Sequence, residues 1–246
     1  MRIGILVIGD ELLLGKRQDK HLPKMIEILA ARGLRLCWAR FVGDDPPLIE
    51  TTLRESIATG DVVLSFGGIG ATPDDVTRQC SASAAGLPLV RHAQAAALIE
   101  ARFGESAYPN RILMADLPQG ARLIPNPINQ IPGFSLHHHH FLPGFPNMAW
   151  PMAEWVLDTQ YRQLFRAQSE SERTVMVFGV AESTLIPTMR ELIAAFPGIK
   201  LSSLPSTTNS GEIELSVRGE GADVTRAYDW LMAQLDALGV RYQPLA

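Results

Sequence analysis

The amino-acid sequence predicts an α/β fold in which helices cover both faces of a mostly parallel sheet, followed by a small α+β domain. Two patterns support this prediction. Over residues 2–85, short apolar segments alternate with longer segments whose apolar residues recur at helical spacing, and such strand–helix units form parallel sheets covered by helices. A polar stretch at 167–172 then precedes a strand–helix–strand–strand–helix pattern. We therefore expect one domain over residues 1–167 and a second over 173–246.

The first strand–helix unit lies at the N-terminus. Residues 2–8 form an apolar run, which is typical of a buried parallel strand. A loop leads from this strand to a helix predicted over residues 20–32. Asp19 is placed to cap that helix and Gly33 to end it, because aspartate accepts hydrogen bonds from the first backbone N–H groups and glycine adopts the left-handed conformation found after many helices.

The next two units repeat the pattern. Their predicted elements are strands over residues 34–42 and 62–66 and helices over residues 46–59 and 72–85. The last of these helices is expected to begin with Thr72 as the N-cap, Pro73 at the first helical position and Asp75 at the third, which is a common helix start.

The pattern is weaker in the rest of the chain. In the first domain we expect a helix over 93–103, a polar linker around 110–114, a short strand at 123–124 and a helix over 148–165. In the second domain we expect strands over 173–178, 199–204 and 212–218 and helices over 182–196 and 221–238. The second domain offers no paired acids, no histidines and no nucleophile with a base, so we interpret it as structural or regulatory.

The composition narrows the functional class. The chain has 246 residues, of which 46% are hydrophobic and 20% charged, as in ordinary globular proteins. A net charge of −4 gives no basic footprint for nucleic acid or an acidic membrane. No apolar run reaches the ~18 residues of a membrane span, and no signal peptide is evident. Cys37 and Cys80 have no motif spacing and are expected to be buried free thiols. These features predict a cytoplasmic protein.

A glycine-rich loop follows the strand predicted at residues 62–66. Gly67, Gly68 and Gly70 would let the backbone approach a ligand closely, and the following helix start would offer free N–H groups to an anion. Asp74 and Asp75 have a simpler interpretation, since acids at a helix start offset the helix dipole. As functional groups, however, they would repel a phosphate unless a cation lay between them. The loop therefore indicates a metal–phosphate site.

Glycine and acidic residues also follow the other two strands, as Gly9-Asp10-Glu11 and Gly43-Asp44-Asp45. Any one of these acids could be a helix cap or belong to a solvated turn. Ligands of open parallel sheets, however, bind beyond the carboxyl ends of the strands, and all three loops must lie at that edge. Their convergence predicts a site there.

Residues 137–140 are four consecutive histidines inside the chain. In a strand, His138 and His140 would face one side, and His137 and His139 the other. Such a run could bind zinc or nickel adventitiously, but no further ligands at a suitable spacing are evident in the sequence.

Four motifs in chain order resemble a known family. They are Gly9-Asp10-Glu11-Leu12-Leu13, Val42-Gly43-Asp44-Asp45, Gly67-Gly68-Ile69-Gly70-Ala71-Thr72-Pro73-Asp74-Asp75-Val76-Thr77 and Leu142-Pro143-Gly144-Phe145-Pro146. Together they resemble the MoaB/Mog-type molybdopterin-binding domain, above all its version in the N-terminal part of competence/damage-inducible protein A (CinA). The resemblance covers residues 1–165, and residues 173–240 more weakly resemble the small middle domain of CinA. The deamidase domain of CinA is not matched, so its activity is not expected.

The resemblance implies a three-layer αβα domain that binds a pterin or a nucleotide diphosphate and forms dimers or trimers. Members of the family transfer adenylate to molybdopterin, insert molybdate, or hydrolyse ADP-ribose or FAD with Mg²⁺, Mn²⁺ or Co²⁺. Three functions therefore stay open: a metal-dependent nucleotide pyrophosphatase, a molybdopterin-binding protein of cofactor biosynthesis or trafficking, and a non-catalytic ligand-responsive module.

The resemblance also implies roles for individual residues. Asp44 and Asp75 occupy positions linked to catalysis, and Asp10, Asp74 and Asp75 are the implied metal ligands. The residues implied to bind ligand or phosphate are Gly9, Glu11, Gly67, Gly68, Gly70, Thr72, Thr77, Pro132, Gly133, Pro143 and Gly144.

The sequence departs from the family pattern around the ligand. The family's Asp-Thr-Asn is Asp19-Lys20-His21 here, and the proline expected after the third glycine is Ala71. The family's Gly-Thr-Ala-Pro-Gly is Asn129-Gln130-Ile131-Pro132-Gly133, and Met148 replaces a glutamate. These changes bear on the identity of the ligand more than on the location of the site.

Overall fold

The computed structural model describes residues 1–165, 171–206, 209 and 211–245. The chain divides into two compact units, Met1–Phe165 and Arg166–Ala246. Most of the polar stretch that we expected to separate two domains, at residues 167–172, lies outside the described residues.

The first unit is built on a six-stranded, mostly parallel sheet. Its strands are β1 (Ile3–Ile8), β2 (Leu36–Val42), β3 (Val62–Phe66), β6 (Arg122–Ile124), β7 (Gly133–Leu136) and β8 (His139–Leu142). In the sheet they lie in the order β2-β1-β3-β8-β7-β6. The pairs β1–β2, β1–β3 and β3–β8 are parallel, whereas β7 pairs antiparallel with β8 and β6. Two short strands, β4 (Leu89–Arg91) and β5 (Asp116–Pro118), form a separate antiparallel pair.

Helices cover both faces of this sheet. They are α1 (Asp10–Leu13), α2 (His21–Ala30), α3 (Pro46–Thr59), α4 (Thr77–Ala85), α5 (Ala93–Phe103) and α6 (Pro146–Gln160). Side chains of β1 alternate between two cores. Ile5 packs in one core with Met25 of α2 and Val156 of α6, and Leu6 packs in the other with Ile49 of α3 and Ile99 of α5. The predicted three-layer αβα fold is confirmed.

The second unit is a four-stranded antiparallel sheet with two helices. Its elements are β9 (Ser171–Phe178), α7 (Glu182–Ala195), β10 (Lys200–Pro205), β11 (Glu212–Gly219), α8 (Gly221–Ala237) and β12 (Arg241–Leu245). The strands lie in the order β10-β11-β9-β12. Val177 and Leu215 of the sheet pack with Leu185 of α7 and Leu231 of α8 in a single core. The α+β prediction is confirmed, but the sequence pattern had missed β12.

Several local predictions are wrong. Helix α4 begins at Thr77 and not at Thr72, since residues 71–76 form bends and turns. The expected loop after β1 contains the four-residue helix α1. The expected polar linker around residues 110–114 is a 3₁₀ helix, Arg111–Ala115, with Ile112 buried. Cys37 is exposed, whereas Cys80 is buried, and both thiols are free.

The histidine run does not form one strand. His137 and His138 occupy the turn between β7 and β8, with His137 at a φ of 53°, and only His139 and His140 lie in β8. Those two are buried and contact hydroxyl groups: His139 Nε2 lies 2.8 Å from Ser56 Oγ, and His140 lies 2.8 Å from the hydroxyls of both Ser135 and Tyr161.

Among the helices of the described chain, none combines the length and apolar character needed to cross a membrane.

Candidate functional site

Four loops meet at one edge of the first unit because the strands before them are parallel and in register. Ile8 is paired with Val42, and Phe66 is paired with both Val7 and Leu142. The loops that follow β1, β2, β3 and β8 therefore leave the sheet side by side. Ligands of open parallel sheets bind at this edge.

The glycine loop begins immediately after β3 and needs glycine at two positions. Gly67 and Gly68 have φ values of 102° and 67°. A Cβ at Gly67 would lie 2.2 Å from the carbonyl oxygen of Ile8, and one at Gly68 would lie 2.1 Å from Thr77 Oγ1. Thr77 is fully buried, and its hydroxyl donates to the Gly67 carbonyl at 3.1 Å. The Thr77 side chain thus supports the loop from beneath.

Asp75 is held by the turn that precedes α4. The backbone N–H and the hydroxyl of Thr72 both donate to Asp75 Oδ2, at 2.9 and 2.5 Å. Gly70 makes room for the carboxylate, because a Cβ there would lie 2.4 Å from Asp75 Oδ2. One carboxylate oxygen is therefore engaged by the turn, and Asp75 has a defined orientation.

Asp44 lies close to other acids. Its Oδ2 accepts a hydrogen bond from the backbone N–H of Asp10 at 3.0 Å, and Asp10 Oδ1 accepts one from the backbone N–H of Asp44 at 3.2 Å. Partial burial raises the pKa of Asp44, and the negative charges of Asp10, Glu11 and Asp74 raise it further, against the lowering effect of the hydrogen bond from Asp10. Carboxylates from three loops thus interact electrostatically at this edge of the sheet.

Arg78 connects the glycine loop to a neighbouring segment. The side chain is 3% exposed. Its Nη2 donates to the Gly70 carbonyl at 2.9 Å, and its Nη1 donates to the carbonyls of Leu113 and Asp116. Burial lowers the pKa of Arg78, while the charges of Asp116 and Asp75 raise it. A buried guanidinium thus ties Gly70, which lies against Asp75, to the rest of the unit.

Two adjoining cavities open at this edge. The larger has a volume of about 350 Å³ and includes the apolar side chains of Val7, Leu12 and Phe66 in its lining. The smaller has a volume of about 160 Å³ and is lined by the acids Glu11, Asp44, Asp74 and Asp75. Four residues line both: Ile8, Glu11, Arg17 and Gly144. The arrangement suits a ligand with an apolar half and a charged half.

His21 forms part of the wall of the larger cavity. Its ring stacks on Phe66, with 4.3 Å between ring centroids and an interplanar angle of 19°. Nε2 donates to the carbonyl of Gly144 at 3.1 Å. Burial lowers the pKa of His21 against the raising effects of the Gly144 carbonyl and Asp19, so the imidazole is neutral near pH 7. Asp19 accepts from the backbone N–H groups of His21 and Leu22, as the predicted helix cap requires.

The structure places the sequence-predicted site residues in two groups. The following residues line the smaller cavity: Gly9, Glu11, Asp44, Gly67, Gly68, Asp74, Asp75 and Gly144. The remaining candidates line neither cavity in the described part of the chain: Asp10, Gly70, Thr72, Thr77, Pro132, Gly133 and Pro143. Asp10, Gly70, Thr72 and Thr77 support lining residues, as described above. Gly133 permits close strand packing, because its Cβ would lie 2.4 Å from the Phe141 carbonyl oxygen.

Sequence reasoning assigned no role to Arg17 or Arg78 and named His21 only as a departure from the family pattern. Arg17 lies between α1 and α2 and His21 begins α2, one on each side of the predicted cap Asp19. Both follow β1 at the sheet edge where the site was predicted, and this position could have indicated them. Arg78 follows the glycine loop directly, but its burial could not be read from its position.

Metal ligands are not preassembled in the part of the chain that the structure describes. No three His, Cys, Asp or Glu side chains gather there as a metal-binding group, either among Asp10, Asp74 and Asp75 or in the histidine run. The smaller cavity does offer carboxylate oxygens, which are the donors that Mg²⁺ prefers. Mg²⁺ is usually held by only one or two carboxylates together with waters and substrate phosphates. The donor set therefore fits a metal that arrives with its ligand.

The first unit matches a known family. A family model described as "Probable molybdopterin binding domain" matches residues 4–163. Since this match covers more than half of the chain, the protein belongs to that family, and the predicted resemblance to MoaB/Mog-type domains is confirmed.

Among the members of this family, the chain is similar in sequence to CinA-like proteins. The chain is 35% identical to a CinA-like protein of Syntrophotalea carbinolica over 190 residues, which are 74% of this chain and 46% of that protein. It is 33% identical to a CinA-like protein of Gloeobacter violaceus over 244 residues, 95% of this chain and 56% of that protein. The chain thus spans about half the length of these relatives.

A solved structure supports the same likeness. The protein CinA of Thermoplasma acidophilum, described as of unknown function, superposes with a TM-score of 0.59 at 26% identity. The match covers 64% of this chain and 98% of that one.

Proposed function

We propose that this protein is a metal-dependent hydrolase of a nucleotide diphosphate such as ADP-ribose or FAD. One observation carries the proposal: a larger, partly apolar cavity adjoins a smaller cavity lined by four carboxylates. A nucleoside would occupy the larger cavity, and the diphosphate would reach the glycine loop and the acids. Four carboxylates would repel a diphosphate, so a cation is needed between them.

The divalent metal would be held by the carboxylates of Asp74 and Asp75 in the smaller cavity and would neutralise charge on the diphosphate. The protein's residues supply orientation. Gly67 and Gly68 line the smaller cavity, where their backbone would approach a phosphate closely, and Thr72 holds Asp75 in one orientation.

Asp44 is suited to act as the general base. Its pKa is raised by burial and by neighbouring acids, which moves a carboxylate toward the range in which it can accept a proton efficiently. Water would attack one phosphorus, its proton would pass to Asp44, and the bridging P–O bond would break. ADP-ribose would then give AMP and ribose 5-phosphate.

The test is release of AMP from ADP-ribose and FAD in the presence of Mg²⁺, Mn²⁺ or Co²⁺. We expect metal-dependent cleavage by the wild type and its loss, by at least about a hundredfold, in Asp75→Ala. Asp45→Asn is the matched control, since Asp45 caps α3 and does not line either cavity. Failure of the wild type to cleave either substrate with any of the three metals would refute the hydrolase.

The family match favours a second function, a non-hydrolytic molybdopterin-binding protein of cofactor biosynthesis or trafficking. The larger cavity could hold a pterin, with its phosphate at the same loop. Tight pterin binding without turnover would select this alternative.

The substituted ligand loop at His21 favours a third function, that of a non-catalytic ligand-responsive module. Such a module would show neither metal-dependent turnover nor tight pterin binding.

We also propose that the chain forms a homo-oligomer, either a dimer or a trimer, in the cytoplasm. In this proposal residues 1–167 are the ligand-binding domain, and residues 173–246 are a separate small domain. Sedimentation analysis would measure the oligomeric state.

A further inference from the structure

Arg17 occupies a distinctive place at the edge of the sheet. It is the one cationic side chain that lines both the larger and the smaller cavity among the residues described. Its backbone N–H donates to the carbonyl of Glu11 at 3.0 Å, so the loop after α1 folds back toward the site. The Arg17 side chain therefore lies where the two halves of a bipartite ligand would join.

The guanidinium of Arg17 makes no hydrogen bond or ion pair within the part of the chain that is described, although Glu11 and Asp44 line the same smaller cavity. Several other arginines of the unit are paired with acids. Arg32 contacts Asp158 at 2.6 Å, and Arg2 contacts Asp61 at 3.0 Å. An unpaired guanidinium at a cavity is free to bind an anion, and its planar donors match the oxygens of a phosphate.

The charges of the two cavities differ. The smaller cavity has four carboxylates (Glu11, Asp44, Asp74 and Asp75) against Arg17, a formal charge of −3. The larger has two carboxylates (Glu11 and Asp19) against Arg17 and Lys20, a formal charge of zero with His21 neutral. Without a metal, an anion is therefore more stable at the junction beside Arg17 than deeper among the acids.

We infer that Arg17 binds the phosphate attached directly to the nucleoside half of the ligand. A nucleoside monophosphate then binds without a divalent metal, and only the second phosphate of a diphosphate needs the cation. This inference rests on the proposed function for its ligand class, but it concerns binding and not turnover.

The experiment measures the dissociation constants of AMP, adenosine and α,β-methylene-ADP by titration calorimetry. The last of these is a diphosphate whose bridging bond cannot be hydrolysed. Each ligand is titrated into the full chain in EDTA and then in Mg²⁺. The variants are Arg17→Gln and Arg17→Lys, with Lys16→Gln as the matched control, since Lys16 is exposed and lines neither cavity.

In EDTA we expect Arg17→Gln to weaken AMP binding by about tenfold or more, because a charge-assisted hydrogen-bonded contact is lost. The dissociation constant of AMP for Arg17→Lys should lie between the values for the wild type and Arg17→Gln. The value for Lys16→Gln should match the wild type within about twofold. Adenosine binding should be the same in all four proteins. Mg²⁺ should strengthen binding of α,β-methylene-ADP and leave AMP binding nearly unchanged.

Equal AMP affinity in the wild type and Arg17→Gln would overturn the inference, as would AMP binding that requires Mg²⁺ or no AMP binding by the wild type. Failure of the hydrolase proposal gives a different result: AMP binding that depends on Arg17, with no release of AMP from ADP-ribose or FAD.

Discussion

Asp10 and Asp44 hold each other by reciprocal hydrogen bonds, in which the backbone N–H of each donates to the carboxylate of the other at 3.0 and 3.2 Å. Gly43 permits this approach, because a Cβ there would lie 2.4 Å from Asp10 Oδ1. The pair ties the start of α1 to the loop after β2. It also brings two like charges together at the site edge.

We expect Asp44→Asn to stabilise the fold at pH 7. Folding raises the pKa of Asp44 above its value in the unfolded chain. Between these two pKa values the folded state binds more protons than the unfolded state, so stability falls as the pH rises through that range. Asparagine keeps an oxygen that accepts from Asp10 and removes the charge. The free energy of unfolding, measured in urea, should rise by about 0.5 kcal/mol at pH 7, and the gain should vanish at pH values below the unfolded pKa of Asp44.

Asp45→Asn is the control for this prediction, since it removes a neighbouring charge but keeps a side chain that can cap α3. An equal gain in both variants, or a loss of stability in Asp44→Asn, would contradict a specific repulsion around Asp44.

Arg78→Met should destabilise the protein strongly. The variant removes the donors to the carbonyls of Gly70, Leu113 and Asp116. Arg78 is buried and its guanidinium is the donor to all three carbonyls, so losing it should lower the free energy of unfolding by about 3 kcal/mol in urea titrations. Arg78→Lys keeps the positive charge, but one ammonium group cannot reach both the Gly70 carbonyl and the carbonyls of Leu113 and Asp116. This variant should lose less stability than Arg78→Met.

The matched control for Arg78 is Arg111→Met, whose guanidinium also donates to a carbonyl, that of Ser106, but is exposed. Its effect should stay within about 0.5 kcal/mol. If the two methionine variants lost similar stability, the burial of Arg78 would not be the cause.

Acid should unfold the protein partly through the buried histidines of β8. Burial lowers the pKa of His139 to about 4 and that of His140 to about 3, from 6.5. Between the folded pKa of each ring and 6.5, the unfolded chain binds more protons than the folded protein. The stability gained by keeping these rings neutral is therefore fully present above pH 6.5 and is lost as the pH falls. His140→Gln should reduce the slope of unfolding free energy against pH, between pH 6 and pH 4.5, by up to about 1.4 kcal/mol per pH unit.

His137→Asn provides the control for the acid prediction, because His137 is exposed and asparagine tolerates its positive φ. Its slope should change less than that of His140→Gln, because the variant removes no buried ring, although the charge of His137 helps to lower the pKa of His139. The comparison uses slopes, so a general loss of stability in His140→Gln does not affect it. An unchanged slope in His140→Gln would mean that this ring is not a source of acid sensitivity.

Regular periodicity made several elements predictable with their boundaries. Strand β3 and helices α3 and α5 have the predicted limits, because each is a continuous pattern bounded by clear signals such as the Asp45 cap and the Gly60 end of α3. Strand β12 was missed because its five residues contain Pro244 and two exposed polar side chains, and its pairing with β9 provides the strand.

The glycine loop shows where local signals compete. Thr72, Pro73 and Asp75 carry the signs of a helix start, yet the helix begins at Thr77. Asp75 does reach back to the Thr72 N–H, as in a capping box. Positive φ values at Gly67 and Gly68 and the hydroxyl of Thr77 beneath them stabilise a turn instead.

The sequence by itself determined the layered fold and the edge at which the acids meet, because apolar periodicity sets the elements and parallel strands bring their following loops together. Only the tertiary structure decided which residues line the cavities, that Arg17 at their junction has no partner among the described residues, and that the buried Arg78 donates to backbone carbonyls. Those properties depend on contacts between residues far apart in the chain, and no local pattern encodes such contacts.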